Sequence, residues 1–427
     1  MSEHKPKHDP YAALRIRDFR LFILGRFSNT IAFQIVEVVI GWQVYSLTKD
    51  PLSLGLLGLA EAIPAIAVSL YAGHLSDSKS RRTISLVALS VLFLCVLSLL
   101  GISSNLQLVY ASFGTLPIYG VVFMMGLSSG FLAPSAIAFS YQLIPPELAP
   151  NASAWRSSSW QTGAIVGPAL GGLLYGFFGA TVAYSVSAGL ALYGIFSLYI
   201  IAEQQAIVRE HKEKIIESLK QGIRFVFRNQ IIVGALSLDL FAVLFGGAVA
   251  LLPVYASDIL KIGPEGLGIL RASPAIGATL TALWMTRRPL HGKIGKKLFI
   301  AVIGFGITII MFGVSRNPIL SVFMLAAGGA FDSVSVIVRS TLLQLSTPNE
   351  MRGRVEAVNM MFIGSSNEIG AFESGVAAKL LGVIPSVVFG GAMTLVSVGV
   401  TSRVAPVLRK LQYEELLSRA QIQNETK

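Results

Sequence analysis

GAIVGPALGG, residues 163 to 172, is the stretch that decides how the whole chain is read. Its glycines at 163, 167 and 171 recur every four residues and line one face of a helix that is nearly bare backbone. In an apolar span such a row lets a second helix approach closely. Pro168 removes one amide donor and leaves the carbonyl of Ala164 without its usual partner, which favours a bend. A static contact between small residues satisfies the same spacing. The glycines alone therefore do not separate a hinge from a fixed interface.

The stretch recurs. One offset of 203 residues, without gaps, superimposes Gly126 on Gly329, Pro145 on Pro348, Glu147 on Glu350, Ala154 on Ala357, Gly167 on Gly370 and Gly172 on Gly375. Glycine pairs arise readily by chance in so glycine-rich a chain. The Pro and Glu pairs at matching loop positions do not, and they imply two related halves, the parallel-repeat arrangement of some transporters.

With 427 residues, 53% of them apolar and 13% charged, the chain is too apolar to be soluble and belongs in a bilayer. Its apolar runs are about 20 residues long and lack period-two alternation, which predicts helices rather than a β-barrel. The net charge of +11 raises the question of nucleic acid, but 27 of the 34 Lys and Arg residues fall in alternate loops and the two tails. The opposite loops hold only Lys49, Lys261, Arg316 and Lys379. That asymmetry excludes a nucleic-acid role and puts both termini in the cytoplasm, so the number of spans is even. The one cysteine, Cys95, lies in an apolar run and is read as a packing residue. The first 20 residues lack the apolar core of a secretory signal, so the first span is expected to be retained.

The expected fold is an all-α polytopic membrane protein, with twelve transmembrane helices in two six-helix bundles related by the internal repeat. We divide the chain into a cytoplasmic tail (1–19), an N-terminal bundle (20–201), a linker (202–230), a C-terminal bundle (231–405) and a second cytoplasmic tail (406–427). The fourth span, 107–143, is too long for one perpendicular crossing, and Pro117 suggests an irregular start. The seventh, 231–257, reads as one helix. In the linker Ile215, Ile216, Leu219, Ile223 and Phe227 recur at helical spacing beside Lys and Arg, the pattern of an interfacial amphipathic helix.

Twelve spans in two halves, the loop GHLSDSKSRR (Gly73 to Arg82) and GAIVGPALGG together resemble the major facilitator superfamily. The loop is similar to that family's G-x-L-x-D-r-x-g-r-r signature through Gly73, Leu75, Asp77, Arg81 and Arg82, with Ser78 and Ser80 where a basic residue and a glycine are usual. The fifth-span stretch is similar to the g-x-x-x-G-P-x-x-G-G signature through Gly163, Gly167, Pro168, Gly171 and Gly172. In this superfamily that signature is associated with exporters working by antiport. LLPVYASDIL (251–260), LGILRASPAIGA (267–278) and MRGRVEAVNMMF (351–362) resemble the bacterial drug and siderophore exporter branch, which includes the enterobactin exporters.

Ionisable side chains inside a span cost about 2.5 to 3.5 kcal/mol on insertion scales, so each needs a partner, a cavity or a function. Those here are Arg26, Glu37, Glu61, Asp239, Arg271, Asp332, Arg339, Glu368 and Glu373. Arg26 and Glu37 share one face of the first span but stand roughly 16 Å apart, and Asp332 and Arg339 share a face of the tenth. The resemblance implies a cavity lined by the first, fourth, seventh and tenth spans. It would place Glu37, Asp239, Asp332 and Arg339 toward water and substrate, with an inter-helix ion pair as the alternative for Asp239 and Arg339. Glu37, without a basic residue within one turn, is the preferred proton carrier, and Asp332 with Arg339 the second choice. The resemblance also implies a cytoplasmic gate at Gly73, Asp77, Arg81 and Arg82, where a carboxylate meeting a helix N-terminus gains about 0.3 to 1 kcal/mol.

No metal-ligand, nucleophile or phosphate-loop pattern is present, so no metal, no catalytic residue and no cofactor is expected. The proton gradient is then the energy source. The function expected is proton-coupled efflux of a drug or siderophore across the bacterial inner membrane by a monomer. Its partners are a small-molecule substrate, protons and lipid. An importer or symporter on the same fold is the alternative, and a membrane enzyme a remote one.

Overall fold

The computed structural model describes residues 9–203, 215–288, 290–348 and 351–418. Every described long apolar run is helical, as it must be where lipid offers the backbone no hydrogen-bond partner. The helices are α1 (Arg17–Thr48), α2 (Pro51–Ser78), α3 (Arg81–Ser104), α4 (Leu106–Phe113), α5 (Leu116–Gln142), α6 (Ala149–Ile200), α7 (Ile215–Arg228), α8 (Gln230–Phe245), α9 (Gly263–Arg287), α10 (Ile294–Val314), α11 (Pro318–Ser346), α12 (Arg352–Leu381) and α13 (Val383–Val404). Among the described residues ten helical stretches are long and apolar enough to cross a membrane. One of them, Pro146–Ile200, contains two crossings, and the more charged α12 is a further 30-residue helix. Twelve crossings result.

Side-chain caps set several starts. Asn229 accepts from the amides of Ile231 and Ile232 to open α8, Asn317 does the same for α11 through Ile319 and Leu320, and Ser80 opens α3 by accepting from Thr83. The fourth span has the irregular start that Pro117 suggested. It is the short α4, a turn at Gly114 with φ +61°, then α5. The seventh span departs from the continuous helix expected. It breaks after α8 at Gly246 and Gly247, and continues as a 3₁₀ turn (Ala248–Leu251) and a π turn (Tyr255–Ile259). Pro168 is accommodated inside α6 without leaving the helical region.

The break inside α6 lies instead at Gly179, with φ 79° and ψ 175°. Gly382, between α12 and α13, has φ 92° and ψ 158°. Both lie in a region that side-chain-bearing residues scarcely enter, and they are 203 residues apart. The internal repeat is therefore written into the backbone at the turn joining the last two spans of each half.

The chain divides into two compact units. The first, 1–37, 63–167 and 178–210, has a core around Phe19, Phe22, Leu89, Phe139, Leu198 and Ile201. The second, 38–62, 168–177 and 211–427, has one core around Tyr255, Leu267, Leu270 and Phe312 and another around Leu238, Leu298 and Leu342. The amphipathic linker segment is α7. Its Val226 is buried with Ile232, Leu236, Val355 and Val358, and Arg354 donates to Gln221 Oε1 at 2.7 Å. Linker residues 204–214 lie outside the described residues.

Alanine at Gly179 or Gly382 should keep the fold but cost about 1 to 3 kcal/mol each, because a Cβ is strained at those dihedral angles. Thermal melting in detergent measures this. Melting unchanged from the parent in both variants would contradict the backbone reading.

Candidate functional site

Glycines of α6 meet close neighbours in each unit, the four-residue row against α1 and Gly172, off that row, against α9. In the first, a Cβ built on Gly163 would lie 2.7 Å from Thr30 Cγ2, and one on Gly167 would lie 2.5 Å from Gln34 Cβ, both on α1. In the second, a Cβ on Gly172 would lie 2.8 Å from the Cα of Gly268 on α9 and 2.5 Å from the Pro264 carbonyl oxygen. Gly375 on α12, the repeat counterpart of Gly172, meets Gly55 on α2 in the same way, with a Cβ 3.0 Å from the Gly55 Cα. Two glycine-on-glycine crossings thus occupy equivalent places in the two repeats. A Cβ on Gly172 would come closer to α9 than real Cβ atoms do, so glycine is required there, whereas one on Gly375 would fit against α2 only if the neighbour gave way by a few tenths of an ångström. Gly171 is buried.

Beside the Gly55–Gly375 crossing, still within the second unit, the turn from α1 to α2 carries a charge cluster. Lys379 Nζ lies 2.8 Å from Asp50 Oδ2. Lys49 Nζ stands 3.5 Å from Asp258 Oδ1 and 3.2 Å from Ser257 Oγ, over the Tyr45 ring at 5.0 Å. Tyr45 donates its hydroxyl hydrogen to Asp258 Oδ2 at 2.5 Å. The hydrogen bond from Lys379 holds the Asp50 carboxyl below the usual carboxylate range. A depressed carboxylate contributes above its ordinary value and loses that contribution only as pH falls through the lower one, so Asp50 stays ionised near neutrality. Sequence reasoning missed this latch. Its signal was there, because Lys49 and Lys379 are two of the four basic residues on the sparsely charged side.

Deeper in the second unit Arg339 on α11 forms an ion pair with Asp239 on α8, and both are buried, at 4% and 7% exposure. This is the inter-helix alternative stated above for the two residues. Asp332, two turns away on α11, is half-buried. Arg339 is held by Asp239. In the first unit Glu37 and Arg26 are half-buried on α1. Arg81 donates to the Ala138 carbonyl, and Arg82 donates to the carbonyls of Leu198 and Tyr199, tying the start of α3 to α5 and α6. Gly73 and Asp77 lie in α2, and their surroundings are outside the described residues.

Residues 8–426 match the family described as transmembrane secretion effectors. The chain belongs to this family. It is similar to the enterobactin exporter EntS of Shigella boydii, with 25% identity over 388 residues covering 89% of this chain and 90% of that one. EntS of Escherichia coli O81 has the same identity and coverage. Among solved structures, a POT family transporter in complex with 5-aminolevulinic acid has a TM-score of 0.74 at 10% identity, covering 92% of this chain and 96% of that one. A bacterial homologue of the iron transporter ferroportin, in an inward-facing state, has a TM-score of 0.70 at 15% identity, covering 93% and 99%. At such identities the likeness is one of fold, that of the major facilitator superfamily. This secretion-effector chain is therefore a multi-pass membrane transporter of that superfamily and not an enzyme.

Asp239→Asn leaves the buried Arg339 guanidinium without its ion-pair partner, with Glu356 on α12 as the remaining carboxylate acting on it, and should destabilise by up to about 3 to 5 kcal/mol. Adding Arg339→Met should recover most of that. Thermal melting in detergent reads both variants, and a double variant no more stable than the single one would contradict a buried pair.

Proposed function

We propose that the protein is a proton-coupled exporter of a small molecule, a drug or siderophore, working by alternating access in the bacterial inner membrane as a monomer with both termini in the cytoplasm. The observation that carries this is the pair of repeat-related crossings, Gly172 on Gly268 and Gly375 on Gly55. Contacts of bare backbone have no interlocking side chains to pull apart, and a symmetric pair of them can separate and close as one step. The latch beside them consists of exposed ion pairs, each worth only about 0 to 1 kcal/mol, which favours a closed end that opens readily. The similarity to EntS, an exporter by name, supports the outward direction.

Coupling is assigned to Glu37, a half-buried carboxylate in the middle of α1. An ionisable carboxylate inside a membrane span is expensive to place there and is the kind of group that relays protons in transporters. Asp332 is the second candidate, and its neighbour Arg339 is already paired with Asp239.

Glu37→Gln keeps shape and hydrogen-bonding capacity without a releasable proton. It should retain substrate exchange while losing uphill efflux driven by an imposed pH gradient in vesicles. Asp332→Asn is the matched control. Uphill efflux by Glu37→Gln with the parent's pH dependence would overturn the assignment.

A further inference from the structure

Arg26 lies nine residues into α1, and its Nε is shielded from solvent with no hydrogen-bond partner. The contacts of Thr30 with Gly163 and of Gln34 with Gly167 put α1 and the first half of α6 side by side, running in the same direction and in register. One turn before the Thr30 contact, the same register sets Arg26 level with Ser159. Ser159 is 9% exposed, and its hydroxyl also lacks a partner. Three residues earlier on α6, Arg156 lies on the same face of that helix as Ser159, so this register brings a second positive charge to the same place. Arg156 is itself held in place, donating to Ser140 Oγ at 2.8 Å and to the Tyr141 hydroxyl at 3.3 Å, with its guanidinium 4.8 Å from the Tyr141 ring centroid.

These facts have one chemical answer in common. Two shielded donors with no acceptor and two like charges with none between them are each unfavourable, and one anion relieves all of them. Water satisfies the donors but leaves the repulsion. The unused donor on Arg26 is Nε, which together with a terminal nitrogen forms the side of the guanidinium that receives a planar, two-oxygen anion.

We propose that Arg26, Ser159 and Arg156 form a binding site for a carboxylate group on the transported molecule. The site deepens the export reading above and rests on it. Arg26 supplies the paired donors, Ser159 a hydroxyl donor, and Arg156 a fixed second charge.

The test is calorimetric titration of the purified full-length protein with benzoate, and with benzamide as its uncharged analogue. Benzoate should bind and benzamide should not. Arg26→Gln should weaken benzoate by about 10- to 100-fold and Ser159→Ala by about 2- to 10-fold. Arg26→Lys, which keeps the charge and loses the fork, should fall between parent and Arg26→Gln, and Arg316→Gln, in an exposed loop, should bind as the parent does. Thermal melting verifies that each variant is folded, and Ser159→Ala carries the test if Arg26→Gln is not. Equal binding of benzoate and benzamide, no benzoate binding by the parent, or parent-like binding by the folded variants overturns the site while leaving export standing. Normal benzoate binding, with no pH-gradient-driven efflux of aromatic carboxylates from vesicles, overturns the export reading and leaves the site in place.

Discussion

Close backbone approach at glycine is the constraint on which the rest of this structure depends. Where Gly172 faces Gly268 no room exists for a side chain, and where Gly375 faces Gly55 a side chain would be tight, so at both places the helices approach through their main chains. Lipid tails are as apolar as leucine, so burying leucine between membrane helices gains little, and what holds them is contact area and geometry. A glycine crossing maximises dispersion contact at short range and then loses it abruptly on separation. Such an interface has two stable conditions, together or apart, and little in between. A molecule that alternates between two arrangements needs that property at its moving surfaces.

The charges fall into two kinds around this frame. The Asp239–Arg339 pair is buried between α8 and α11, and removing either member leaves a stranded charge, so it ties those helices into one body. The Lys49, Asp50, Asp258 and Lys379 cluster is exposed, contributes little to stability, and lies beside the Gly55–Gly375 crossing. The hydrogen bond from Lys379 keeps the Asp50 carboxyl below the usual carboxylate range and so ionised near neutrality.

Much of the fold was legible because membrane helices announce themselves by length and apolarity, and because the glycine row and the 203-residue repeat survive in the sequence. The repeat is better preserved in backbone than in sequence. Gly179 and Gly382 obey the same offset and the same dihedral region, yet as isolated glycines in a glycine-rich chain they carried no signal. The partners of these glycines, Thr30, Gln34 and Gly268 for those of α6 and Gly55 for Gly375, were invisible for another reason, since which helix lies against a bare face is fixed by the tertiary fold and not by the face. The break after α8 at Gly246 was hidden by the uninterrupted apolar run around it. The Asp239–Arg339 pair was foreseen only as one of two readings, because a sequence gives a charge's depth in its helix but not what lies opposite it.

The central claim is that the glycine crossing and its latch separate and close as a two-state unit. Pulsed electron–electron resonance between nitroxides at positions 52 on α2 and 380 on α12, in a Cys95→Ser background, tests it most directly. The account predicts two resolved distances, one matching the closed crossing and one longer, with populations that shift between about pH 8 and pH 5. A single short distance, unchanged by pH, would contradict it.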